Sequence, residues 1–155
     1  SGAVKERIKS EQVAKPNYMG MTKDGDVLNV YADTLTPENE EMSALLVTRP
    51  KSEIRTKDGR VIHLISDSGL ILNEANLLSL EGDVEILTSD GYQFYAQKAD
   101  VRLDQIWAFA FGPVRGLGPV GTFMAGSLEI KRSSEADSLK FHLKERVKVL
   151  YKREK

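Results

Sequence analysis

A short turn followed by an alternating apolar run returns four times along this chain, and that repetition constrains its fold more than any other feature. The instances are DGDVLNVYADTL (24–35), DGRVIHLISDSGLIL (58–72), DGYQFYAQKADVRL (90–103) and VGTFMAGSLEI (120–130). Their glycines, at 25, 59, 91 and 121, are 34, 32 and 30 residues apart. A second series of short runs carrying a valine lies between them: GDVEIL (82–87), GPVRGL (112–117) and ERVKVL (145–150). Its valines, Val84, Val114 and Val147, are 30 and 33 apart, so both series share one period. Alternation such as Val84 and Ile86 against Asp83 and Glu85 puts the apolar side chains on one face of a strand. Asp-Gly accepts the positive φ angles of tight hairpin turns, so each unit begins where the chain reverses. A unit of about 30 residues cannot bury its own apolar face, whereas stacked neighbours can. The expected product is one all-β domain, an elongated sandwich or roll.

The totals agree with a globular chain. Its 155 residues suit one domain with a continuous apolar interior. A net charge of -1 excludes a nucleic-acid binder that works by strong basicity. There is no cysteine, hence no disulfide framework and no thiolate metal site. No run approaches the roughly 18 apolar residues of a membrane span. Residues 4–15 read as a short helix or a frayed lead-in that Pro16 stops. Glu38 to Glu41 reads as a loop after Pro37, and 133–137 as a polar turn.

Catalysis needs convergent groups, and the chain offers none by pattern. His63 and His142 sit inside strand-like alternations without metal-ligand spacing. Asp24, Asp58 and Asp90 recur with the turn, and turn chemistry accounts for them. Gly116-Leu-Gly118-Pro-Val-Gly121 matches a dinucleotide fingerprint by letter. Such a site needs its glycines to open a helix, and TFMAGSLEIK reads as a strand. Neither a catalytic residue, a metal nor a cofactor is expected. The run IWAFAF places Trp107, Phe109 and Phe111 alternately with Ile106, Ala108 and Ala110, as a buried element or a contact patch. The terminal cations Lys144, Arg146, Lys148, Lys152, Arg153 and Lys155 alternate with Val147, Val149 and Tyr151. They fit either an edge protected against aggregation or a contact with phosphates or an acidic partner.

The set of residues from Met19 to Lys152 resembles the LptC family of lipopolysaccharide export proteins. The carriers are Gly20 with Asp24-Gly25 and Tyr31-Ala32-Asp33, then Asp58-Gly59 and NLLSLEGDVEILTSDGYQFYAQKADV (76–101). Gly112-Pro113-Val114, read as a turn, and the ending FHLKERVKVLY (141–151) complete them. The resemblance implies a twisted antiparallel β-jellyroll open at both ends, over residues 19–152. A lead-in (1–18) would follow a removed transmembrane anchor, and 153–155 would be a tail. It further implies a non-enzymatic, periplasmic carrier of lipid A acyl chains, tethered to the inner membrane by a helix absent from this chain. Its partners would be lipopolysaccharide, the inner-membrane permease and ATPase complex, and the soluble periplasmic jellyroll that bridges onward.

Apolar positions expected inward, toward such lipid, are Val84, Ile86, Phe94, Val101, Leu103, Ile106, Leu128, Ile130, Phe141 and Val147. Free strand edges for partners are expected around Val27–Asp33, with Val27, Leu28, Val30 and Ala32, and around Phe141–Tyr151, with Leu143, Val147, Val149 and Tyr151. Two other readings remain open on the residues alone. One is a sugar-binding or β-helix-type enzyme module; the other is a structural adaptor whose core is filled by side chains.

Overall fold

A computed structural model describes residues 12–133 and 138–153, and among them every element is a strand. The strands are β1 (Val13–Ala14), β2 (Asn17–Met21), β3 (Val27–Tyr31), β4 (Thr34–Pro37), β5 (Ala44–Thr48), β6 (Lys51–Arg55) and β7 (Val61–Ile65). They continue with β8 (Ser68–Leu72), β9 (Leu77–Thr88), β10 (Gln93–Arg102), β11 (Trp107–Gly118), β12 (Gly121–Arg132), β13 (Leu139–Lys144) and β14 (Lys148–Tyr151). All pairings are antiparallel and belong to one sheet, which does not close into a barrel.

That sheet is folded over on itself into two leaves. One leaf runs β2-β3-β6-β7-β9-β10-β11-β12-β14, and the other runs β1-β4-β5-β8-β9-β10-β11-β12-β13. The four long strands belong to both. β9 pairs β8 through 77–81 and β7 through 85–88, while β12 pairs β14 through 121–124 and β13 through 127–132. The fold line passes through the register shifts at Tyr95/Lys98 and Phe111/Val114. Earlier in the chain it passes through the short links between strands. Backbone hydrogen bonds continue across it, from Lys15 N to Asp33 O, Asp33 N to Thr48 O, Arg49 N to Asp67 O and Asp67 N to Gly82 O. Positive φ angles at Lys15, Arg49, Asp83, Glu145 and Arg146 make the bends. This closed side is the spine of the molecule.

Opposite the spine, hairpin tips form two rims. The Asp-Gly turns all lie on the rim of the first leaf, between β2 and β3, β6 and β7, and β9 and β10. In each, a threonine two residues before the aspartate organises the loop. Thr22, Thr56 and Thr88 accept from the backbone N–H of Asp26, Arg60 and Tyr92 at 3.2, 2.9 and 3.0 Å. Gly25, Gly59 and Gly91 take φ near +90°, the left-handed bulge position of a three-residue hairpin loop. The period of the sequence is therefore one lap around the roll. The core lies between the leaves, where Leu64, Leu78, Leu80, Val84, Val101 and Leu128 are fully buried.

Several expectations are corrected. β3 is flanked by β2 and β6, so Val27, Leu28 and Val30 are not on a free edge, and Ala32, just after it, donates its N–H to Pro16 O. That edge is β2, and the second leaf's is β1, because the short leading strands add outside β3. Gly112-Pro113-Val114 is not a turn but the point where β11 crosses the fold line. The terminal strand is two strands on different leaves, separated at Glu145 and Arg146. Val147 lies in that link and is 45% exposed, not inward. Of segment 4–15, residues 4–11 lie outside the described residues and Val13–Ala14 is a strand; 134–137 and 154–155 also lie outside them. Gly116 to Gly121 joins two strands, so no helix receives a pyrophosphate there.

Candidate functional site

The space between the leaves changes character along the molecule. At the N-terminal end it opens into an apolar mouth of about 300 Å³, at the low end of ligand-pocket volumes. Val30 of β3 and Ala32 just beyond it, with Tyr18 of β2, form its roof. Leu35, Leu45, Val47 and Ile71, from β4, β5 and β8 of the second leaf, form its floor. Its polar side chains are Asn17, Asn73 and Asn76 and the phenols of Tyr18 and Tyr31. The sheet brings these side chains together because inward positions of short strands on facing leaves converge where the leaves part. Apart from the Tyr18 and Tyr31 phenols the lining carries no titratable side chain, and its apolar area suits it to exclude water from apolar matter.

In the middle, the leaves are in contact. Val84, Ile86, Val101, Ile106, Leu128 and Ile130 all point inward and are buried. Small inward residues, Ala96, Ala99, Ala108 and Ala110, let the backbones approach. Toward the C-terminal end an aromatic cluster fills the space. The ring of Phe94 lies 6.0 Å from Phe141 of the opposite leaf and 6.3 Å from both Tyr92 and Phe123.

Of the ten residues expected inward, Leu103 alone lines the mouth. Seven are packed in the core, Phe141 is partly buried against it, and Val147 faces solvent. The floor residues Leu35, Leu45, Val47 and Ile71 were missed. They flank turns on strands of four or five residues, too short for alternation to stand out.

The outer face of the second leaf carries Trp107, Phe109 and Phe111 in one row. Trp107 and Phe109 stack at 6.2 Å, Phe109 meets Phe111 edge-on at 4.9 Å, and Lys98 sits 5.4 Å from the Phe111 centroid. The Trp107 indole N–H donates to Glu129 at 2.9 Å, and this bond, helped by Lys131, Lys144 and His142, holds the Glu129 carboxyl below its usual range. The run IWAFAF is thus a strand with alanines inside and aromatics outside. His63 faces outward on β7 opposite Glu53, and His142 outward on β13 opposite Glu129. On the first rim, hydrogen bonding from the Thr56 hydroxyl lowers the pKa of Asp58. Asp58 and Asp90 anchor their loops by accepting from the Thr56 and Thr88 hydroxyls, whereas at the first turn the Thr22 hydroxyl donates to Asp26 instead of Asp24. Among the described residues no group of acidic or histidine side chains is arranged to hold a metal ion. Nor is any helix long and apolar enough to cross a membrane.

Comparison with curated proteins finds no match. Residues 4–152 match a protein family described as lipopolysaccharide-assembly, LptC-related. The match takes in every described strand, from the mouth to the last edge. The chain belongs to the LptC-related lipopolysaccharide-assembly family.

Proposed function

We propose that the domain is a non-enzymatic carrier that shelters the acyl chains of lipid A between its two leaves during lipopolysaccharide export. The observation that carries this reading is the mouth: an opening lined mostly by apolar side chains, between leaves that are joined along one side alone. Family membership supplies the lipopolysaccharide. The fold supplies a water-excluding surface that a saccharide-binding enzyme would not need. Because the middle is packed, chains that travel beyond the mouth must part the leaves as they go. The carrier works in the periplasm beside the inner membrane, loading from the permease and ATPase complex and delivering to the next jellyroll.

Photo-crosslinking tests the cargo. With p-benzoylphenylalanine at Leu35, in cells exporting lipopolysaccharide, an ultraviolet-dependent lipopolysaccharide adduct is expected. The same residue placed at exposed Lys51, at the spine end of β6, gives none. Equal labelling at both positions, or at neither, removes the carrier reading and leaves the filled adaptor.

Delivery is proposed to run through the free edge of β14, the last strand of the first leaf. Lys152 N donates to Val120 O at 2.8 Å. By antiparallel alternation, the backbone groups of Val149 and Tyr151 then point away from β12. Val149→Pro therefore removes a donor from the free edge while sparing the β12 ladder. Capture of the soluble bridge jellyroll is expected to fall about tenfold, with an unchanged melting temperature. Undiminished capture moves the docking site elsewhere.

A further inference from the structure

One polar contact spans the two leaves on the rim side, far from the spine. Asp26, at the first hairpin tip of the first leaf, is only 1% exposed. Its carboxylate accepts from the Arg132 guanidinium at the end of β12 on the second leaf. It also accepts from Lys57 N at 3.0 Å and the Thr22 hydroxyl at 3.2 Å. Arg132 lies 3.8 Å from Asp24 as well. Around this pair, residues 22–24 of the first rim share a cleft with 104–107 and 131–132 of the second. The next tip of the first leaf continues the closure, since the Arg60 guanidinium sits 5.0 Å from the Phe141 ring centroid. The rims are thus apart at the mouth and fastened from Asp26 onward.

We infer that the Asp26–Arg132 contact is a latch on the groove, which must part for a headgroup-bearing lipid to pass from the mouth toward β13 and β14. The inference rests on the carrier reading and adds the route. Burying unpaired polar groups of a phosphorylated sugar is costly, so the head stays in water while the chains lie between the leaves. The spine is shut by continuous strands, so the head can project only through the rim. A head moving lengthwise meets the latch first. Two hydrogen bonds from its own leaf hold Asp26 in place when Arg132 leaves, so the latch can open and reclose at one position.

A tether tests it. Lys23 and Gln105 are exposed and line the two sides of the cleft. The chain has no cysteine, so Lys23→Cys with Gln105→Cys gives a unique pair for a short bis-maleimide. Purified lipid A is the probe, with p-benzoylphenylalanine at Leu35 in the mouth or at Phe141 beyond the latch. The untethered pair should label at both positions. Tethering should keep the Leu35 adduct and lower the Phe141 adduct about tenfold or more. Arg132→Gln should raise the Phe141 adduct; if that variant does not fold, the tether alone decides. Equal Phe141 labelling with and without the tether overturns the latch. Labelling at neither position in the untethered protein overturns the carrier reading, and the latch with it.

Discussion

Gly112→Ala is expected to cost at least about 3 kcal/mol, a large share of the roughly 5–15 kcal/mol that a domain has. Gly112 is where β11 crosses the fold line, and it faces Gly126 at the corresponding crossing of β12. A Cβ built on Gly112 would fall 1.8 Å from the Gly126 carbonyl oxygen and 2.4 Å from its carbon. Backbone cannot rotate away as a side chain can, so the two central strands must separate at the spine. Gly59 supplies the comparison. Its Cβ would meet nothing within 4 Å, and only its φ of +91° opposes a side chain. Gly59→Ala should therefore cost about 1–2 kcal/mol. Denaturant melts of both variants check the order; equal losses would mean that crowding at the spine is not what limits the sheet.

Arg132→Met is the second large effect, expected near 3 kcal/mol. Removing one partner of a buried ion pair leaves an uncompensated charge, which is worse than losing both. Asp26 keeps its bonds from Lys57 N and the Thr22 hydroxyl, which holds the loss toward the lower end of the range for such changes. Adding Asp26→Asn to Arg132→Met should recover part of the stability, because the buried group is then neutral. A double-mutant cycle by urea unfolding measures this. Strictly additive losses would show that the pair is not coupled.

What the sequence shows plainly is the rim. Asp-Gly turns announce the hairpin tips, and the threonines at 22, 56 and 88 repeat with them, although Asp-Gly is the stronger signal. The spine is far less legible. Its bends fall on Lys15, Arg49, Glu145 and Arg146, charged residues in left-handed conformation that are not turn formers, and on Gly82-Asp83, the one bend whose residues are. A stacked β domain is therefore readable, whereas a single sheet folded in two is not. The same gap explains Val147. The apolar positions 141, 143, 147, 149 and 151 keep one parity, and nothing in the letters shows that the chain changes leaf between them. The leading edge was misplaced because β1 and β2 are short and carry Asn17 and Gly20. Of the candidate site, the inward set on long strands was legible and the mouth was not. Its lining comes from the short strands of the first laps.

The laps also shorten, from 34 to 32 to 30 residues, as pairs of short strands joined by a bend become single long strands. Among the described residues, paired strand residues are at most 30 apart, as between Gly121 and Tyr151, and the Lys152–Val120 hydrogen bond just beyond them joins residues 32 apart. Asp26 and Arg132 are 106 residues apart. During synthesis each lap can zip onto the one before it as it emerges, a low-contact-order route that favours rapid folding. The latch must wait until the end of β12 has been made, and the Arg60–Phe141 contact until β13. The latch is a contact between the beginning and the end of the chain, and its closure reports that every lap between them is in place.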